Sequence, residues 1–213
     1  MTDTISTDQM LHAFEDICDT IEREKDYLSE LDGAIGDGDH GVNMAKCFRE
    51  VKKKLPEIQG KDFEGIIKAV GTVVLNSVGG AMGALYGTFF LRLAQASAGK
   101  TELTLTDLAD MFQSAEKGIL EIGKAKTGDK TLLDTLSPSV RALEKAADEH
   151  RSLEDALREF ETTAKAGMEA TKDMIAKMGR ASRLGERTLG HQDAGATSCY
   201  LILSSMARRL AGA

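Results

Sequence analysis

The twelve residues from Asp32 to Asn43, DGAIGDGDHGVN, hold three aspartates, one histidine and four glycines. Carboxylates this close repel one another and raise each other's pKa, so a folded chain seldom gathers them unless a cation sits among them. Glycine lets the backbone turn sharply and come close to a bound group. The spacing therefore predicts a metal loop with Asp32, Asp37 and Asp39 as its donors. Hard oxygen donors favour Mg2+, which takes one or two carboxylates and fills its octahedron with water and phosphate. Three carboxylates could hold two such ions, as in many phosphoryl-transfer sites. Other metal chemistries fit less well. An EF-hand needs a glutamate at its twelfth position, but counting from Asp37 gives Phe48 and from Asp32 gives Asn43. Zinc prefers cysteine and histidine, and only His40 is at hand. A nucleophilic Asp37-Gly38-Asp39 would want a rigid strand end, where this chain offers a helical pattern. On spacing alone the alternative is a solvated acidic turn, since Asp and Gly are ordinary turn residues.

Three further segments carry complementary chemistry. Ser77 to Gly83, SVGGAMG, is a glycine-rich turn at the head of a helical pattern, where free amides attract anions. Gly128 to Thr131, GDKT, is a second polar turn. Gly179 to Gly195, GRASRLGERTLGHQDAG, has four glycines, three arginines (Arg180, Arg183 and Arg187) and no helical stripe, and so long a loop predicts a lid. Metal, amide cradle and mobile positive charge are together what phosphoryl transfer uses. A fourth string, AQASAGKT at Ala94 to Thr101, mimics a P-loop. That motif needs a preceding strand and a helix opening at Gly-Lys-Thr, whereas GTFFLRLAQAS has helical spacing and Gly99 reads as its C-terminal glycine.

The elements that must position these segments are helical almost throughout. Leu11, Phe14, Ile17, Ile21, Leu28 and Leu31 predict one helix behind a Ser6/Gln9 capping box. Met44, Phe48, Val51 and Leu55 predict a short one stopped by Pro56, and Phe63 to Val74 another behind Asp62. A fourth starts at Gly79-Gly80. Leu108 to Ile122 follow Thr106, and a segment from Leu132 to Ala147 contains Pro138, near a start or at a kink. Leu153 to Ile175 follow Ser152, with Glu154 and Asp155 in the first turn. A last helix runs from about Thr197 to Leu210. No strand alternation is visible, so the expected architecture is all-α, some eight helices in one bundle over residues 1–213. Gly65, Gly71, Gly83 and Gly87 mark places for close helix contact.

Composition narrows the function classes. The 213 residues have net charge −7, which argues against nucleic acid or an anionic membrane as the main partner. Three cysteines, Cys18, Cys47 and Cys199, are odd in number, well separated and without a CxxC, and read as reduced thiols. MTDTISTDQM has no basic start or apolar run, and no segment is long enough to span a bilayer. A cytoplasmic protein is expected.

Taken in order, GDGDHGVNM, SVGGAMG, GDKT and GRASRLGERTLGHQDAG closely resemble the L subunits of bacterial dihydroxyacetone kinases, the nucleotide-binding partners in the phosphoenolpyruvate-dependent system. The resemblance implies an eight-helix antiparallel barrel with the nucleotide at one end, and two Mg2+ on Asp32, Asp37 and Asp39. It implies ADP or ATP contacts from His40, Asn43, Gly80, Ala81, Met82, Gly123, Leu132, Arg180, Asp193, Ala194 and Gly195. It makes no residue a nucleophile or base, and Arg180 a phosphate or transition-state stabiliser. It further implies a K subunit that binds dihydroxyacetone covalently through a histidine, an M-type phosphocarrier that rephosphorylates bound ADP, a homodimer, and contact with a transcriptional regulator. An ATP-consuming kinase for another ketose such as erythrulose, or a non-enzymatic nucleotide-binding regulator, are the other readings. Two positions depart from the pattern: Met82 stands where a small residue is expected, and Ala194 breaks the HQDPG form. His40 matches the phosphocarrier-dependent branch, whose ATP-dependent relatives carry cysteine there.

Overall fold

The computed structural model describes residues 4–212, which leaves the opening Met-Thr-Asp and the last alanine outside the described residues. Nine α-helices occur among them: α1 (Thr7–Arg23), α2 (Lys25–Ile35), α3 (His40–Ile58), α4 (Phe63–Ser77), α5 (Gly80–Ala96), α6 (Leu105–Gly123), α7 (Leu133–Asp148), α8 (Leu153–Ala170) and α9 (Ala194–Leu210). Eight of these form a closed ring. From α3 to α9 each packs on the next, α9 closes on α1, and α1 completes the circuit against α3. Extended structure among the described residues is limited to one bridge, Ile5 to Leu103. No helix there is long and apolar enough to cross a membrane.

The ring is held by a continuous apolar interior. Phe90 of α5 is its hub, meeting Phe14 at 5.6 Å, Phe48 at 6.4 Å and Phe89 at 5.1 Å between ring centroids. Phe89 continues to Phe112 at 5.9 Å, and Phe112 to Phe160 at 5.0 Å. Mostly edge-to-face pairs thus link α1, α3, α5, α6 and α8, the geometry aromatic quadrupoles favour. The α4–α5 seam is tight because Gly87 has no side chain: a β-carbon there would lie 2.8 Å from that of Leu75.

Most helix starts follow the sequence, and five boundaries correct it, one being the end of α8 at Ala170, which leaves Ile175 outside the helix. The stripe from Leu11 to Leu31 divides at Glu24, giving α1 and a separate α2 that packs on α3. Pro56 does not stop α3, which ends at Ile58; proline forfeits one backbone bond there while buried Leu55 and Ile58 hold the last turn down. The cap of α6 is Thr104, in a capping box with Asp107, rather than Thr106. The last helix begins at Ala194, because Asp193 caps it by accepting from the Ala196 N–H. Pro138 lies inside α7. Gly99 follows the end of α5 in a left-handed turn, so Gly-Lys-Thr opens no helix and the P-loop reading fails.

Alternating chain direction gives the barrel two distinct ends. α3, α5, α7 and α9 start at one end, which also carries α2, loop 36–39, the turn 124–132 and the segment 171–193. This is the acidic end. α1, α4, α6 and α8 start at the other, the far end.

Candidate functional site

At the acidic end, α2 delivers Asp32 in its last turn and the chain doubles back into α3. The His40 N–H donates to Asp32 Oδ2 at 3.3 Å, and the Gly36 N–H to Asp32 O at 2.5 Å. The α2–α3 crossing is close enough to require Gly41, since a β-carbon there would drive into the Lys25 carbonyl. One oxygen from each of Asp32, Asp37 and Asp39 consequently lies within 4.8 Å of the others, with Asp37 and Asp39 exposed. Asp39 occupies the N-cap of α3 without bonding its amides, which leaves its carboxylate free for other donors. Three carboxylates without a thiol suit a hard, oxygen-seeking dication such as Mg2+. Arg180 of the glycine- and arginine-rich segment reaches the cluster and ion-pairs with Asp37.

Beside His40 opens a cavity of about 420 Å³. Its apolar wall comes from Leu85, Ile119, Ile122, Leu132, Leu133 and Met178, and its polar groups include His40, Lys130 and Asp193. Ala81, Met82, Gly123 and Gly195 line it too, so that seven of the residues the resemblance singles out share one cavity. Met82 lines this cavity and packs on the core, so at that position the chain offers a long thioether where a small residue was expected. Gly80, exposed at the first position of α5 with φ of 73°, adjoins the wall. Gly80 is not part of the lining, nor are three more of the predicted contacts. Asn43 lies one turn along α3 from His40, Ala194 is buried in the first turn of α9, and Arg180 sits at the acidic cluster. Ala194 occupies the first helical position, where proline is also well accommodated. Arg183 and Arg187 are exposed.

The ionisation states follow from burial. Desolvation lowers the His40 pKa against the opposing pull of Asp32 and Asp39, which favours a neutral imidazole. Its Nε2 lies 2.8 Å from the Ser198 hydroxyl, which lies 2.7 Å from Tyr86 Oη. The Tyr86 and Ser198 hydroxyls also lie 3.2 and 3.1 Å from Gly195 O, an acceptor for whichever proton the pair does not share, so the ring is held from behind. Asp193 is pushed up to about 6 by burial, with the Ala196 amide and Lys130 opposing. The thiols of Cys18 and Cys47 are pushed up to about 12, and Cys199 is raised too, all by burial. These are inert core thiols.

A family model for the DAK2 domain matches residues 34–208. The chain belongs to the DAK2 domain family. It is 42% identical over 204 residues to the Escherichia coli K12 ADP-binding subunit DhaL of PEP-dependent dihydroxyacetone kinase, covering 96% of this chain and 97% of that one. It is 39% identical to the ADP-binding subunit DhaL of PEP-dependent dihydroxyacetone kinase 2 from Listeria innocua, covering 93% of each. The dihydroxyacetone kinase of C. freundii, solved in complex with AMP-PNP and Mg2+, has the same fold, with a TM-score of 0.68 at 22% identity. That likeness covers 96% of this chain and 34% of the longer one.

Three residues of this DAK2 domain escaped the sequence reading. Tyr86 and Ser198 were not singled out, yet Ser198 meets His40 and Tyr86 braces Ser198. Lys130 looked like part of a polar turn, yet it is 2% exposed. Its Nζ donates to the carbonyls of Met174 at 3.1 Å, Thr188 at 2.5 Å and His191 at 2.6 Å. The GDKT motif was the available signal, but nothing in the sequence ties it to residues so far along the chain.

Proposed function

We propose that this chain is the nucleotide-carrying subunit of a dihydroxyacetone kinase. It holds Mg-ADP or Mg-ATP at the acidic end and passes the γ-phosphoryl to dihydroxyacetone presented by a K subunit, and its ADP is rephosphorylated in place by a phosphocarrier M subunit. The observation that carries this reading is the junction of two unlike surfaces: His40, bonded to Asp32 through its N–H, ties three converging carboxylates to a largely apolar cavity that its own side chain lines. The relatives described above, ADP-binding subunits of PEP-dependent dihydroxyacetone kinases, agree with it.

Asp32, Asp37 and Asp39 would hold the Mg2+, two ions on this reading. Bound there, Mg2+ neutralises phosphate charge and fixes phosphate geometry. Leu85, Ile119 and Ile122 give a planar base an apolar wall, while the uncapped start of α5 at Gly80, Ala81 and Met82 turns free amides towards phosphate. Arg180 stabilises charge as it develops. No side chain need act as nucleophile or base, because positioning and charge neutralisation suffice for phosphoryl transfer. Burial lowers the His40 pKa and its ring is engaged with Ser198, which suits a contact rather than a proton shuttle.

The sugar comes from outside the chain. All the large apolar side chains that are exposed among the described residues lie at the acidic end: Tyr27, Val42, Leu75, Leu120, Ile122, Ile175 and Leu189. An apolar rim around the mouth of a site suits a protein partner that brings the acceptor.

The experiment follows a label. The protein is loaded with labelled ADP, then given a K subunit, dihydroxyacetone and a phosphoenolpyruvate-driven phosphocarrier chain. Many turnovers with the label still bound are expected, and the isolated chain should phosphorylate nothing. If the label leaves once per product and free ATP drives the reaction, the chain is an ordinary ATP-consuming kinase subunit. If ADP binds and no K subunit elicits turnover, it is a nucleotide-binding regulator.

A further inference from the structure

Lys130 is a fully buried ammonium that no step of the proposed reaction uses. A buried lysine is ordinarily driven towards its neutral form, and desolvation does lower this one, with Asp193 and Asp173 opposing. Its three acceptors match its three N–H donors, which is how a buried ammonium is kept charged. The cost is borne in the backbone as well, since Lys130 has φ of 60°, in the left-handed region that side chains disfavour. A conformation of that kind persists only where the surroundings fix it. Here Asp134, itself 2% exposed, accepts from the Gly128 N–H at 2.5 Å and the Thr131 N–H at 2.7 Å, which locks the turn that carries Lys130.

The three carbonyls lie on both sides of one segment. Met174 precedes Arg180, and Thr188 and His191 follow it. The same turn holds the near side again: the Lys177 N–H donates to Asp129 O at 3.1 Å, and Lys177 Nζ to Gly128 O at 3.1 Å. The two sides are also tied to each other. Thr188 Oγ1 accepts from the Ala176 N–H at 3.0 Å, and the Gly190 N–H donates to Lys172 O at 2.8 Å. Between these feet lies a short arch from Gly179 to Gly185, with φ of 66° and 55° at those two glycines. It carries Arg180 to Asp37.

We propose that Lys130 is the positioning residue of the lid: its ammonium clamps both feet of the segment 174–191 to the GDKT turn, so that the Gly179–Gly185 arch alone moves and Arg180 returns to the acidic cluster in register. The lid is then a small hinged arch on a fixed base rather than a loose loop. The inference rests on the nucleotide reading above. It deepens that reading by assigning the retention of ADP to a residue that does not touch the phosphates.

The test is a double-mutant cycle on the full chain with a fluorescent ADP analogue and Mg2+. Lys130→Met keeps the stem and drops the ammonium, and Arg180→Ala removes the side chain on which it acts. Release of the analogue should speed up about tenfold in Lys130→Met and no further in the double variant than in Arg180→Ala alone, the non-additivity of coupled residues. Tryptic cutting after Arg183 and Arg187 should rise in Lys130→Met with or without nucleotide. Unchanged release and cutting in folded Lys130→Met would overturn the proposal. So would effects of the two substitutions that simply multiply, since Lys130 would then support the fold without acting through Arg180. If Lys130→Met does not fold, Thr188→Val decides by the same readouts, because it removes one brace between the feet without exposing a charge. If the wild-type chain binds no ADP analogue, the nucleotide reading fails, and the nucleotide-free tryptic pattern still decides the clamp.

Discussion

At the far end α1, α4, α6 and α8 start on Ser6, Asp62, Thr104 and Ser152, and each side chain accepts from a backbone N–H of its own first turn. At the acidic end α3, α5 and α7 start on Asp39, Gly79 and Leu132 with no such bond, and only α9 is capped, by Asp193. The exposed apolar side chains, the buried lysine and the clustered carboxylates are all at the acidic end too. Capping closes a helix on itself; at the acidic end the first amides of α3 and α7 are met from elsewhere, by Asp32 and by the Thr131 hydroxyl, and the start of α5 keeps its donors for something else. One end of this barrel is finished as structure, and the other leaves the start of α5 and the carboxylates of the acidic loop open, as a binding site must.

The largest effect expected from that contrast is chemical. Asp39→Asn should lower phosphoryl transfer, measured with K and M subunits present, by roughly 10²- to 10³-fold, the size seen when one preorganised electrostatic group is lost. Without metal and nucleotide the same variant should melt no lower than wild type, because one like-charge repulsion is gone. A variant that melts lower and retains activity would make Asp39 a structural residue and erase the contrast at its centre.

Asp193 sharpens it. Burial raises this carboxyl from 3.8 to about 6 in the folded chain, so between those values the folded state binds a proton that the unfolded state has released. The stability it contributes is full below about 3.8 and lost as pH rises through about 6. Asp193→Asn keeps a capping side chain and should flatten that part of the stability profile, read as urea midpoints from pH 4 to 7. A profile parallel to wild type would mean that Asp193 is not buried as a charge.

The smallest effect belongs to the far end. Ser152→Ala should cost about 1 kcal/mol of unfolding free energy, the usual value of a lost cap, and leave ADP affinity unchanged. A shift in affinity would show the two ends to be coupled.

How much of this was legible follows from sequence distance. Ser6, Asp62 and Ser152 cap residues three positions away, and Asp32, Asp37 and Asp39 lie within one short stretch, so the caps and the convergence of the carboxylates were readable from spacing. The division at Glu24 was not, because the apolar stripe runs unbroken through it with no glycine or proline to mark the bend. Lys130 was not, because its acceptors are 44 to 61 positions away. Nor was the bond from His40 to Ser198, 158 positions apart. Local periodicity reports the face that a helix buries. It does not report which distant carbonyl will meet a given side chain.

The most direct measurement is amide hydrogen exchange on the full chain, with Mg-ADP and after its removal. The account predicts protection by Mg-ADP at residues 36–43, 78–85, 123–133 and 178–196, with the far-end turns at 59–62, 97–104 and 149–152 unchanged. No protection at the acidic end, or protection confined to the far end, would contradict it.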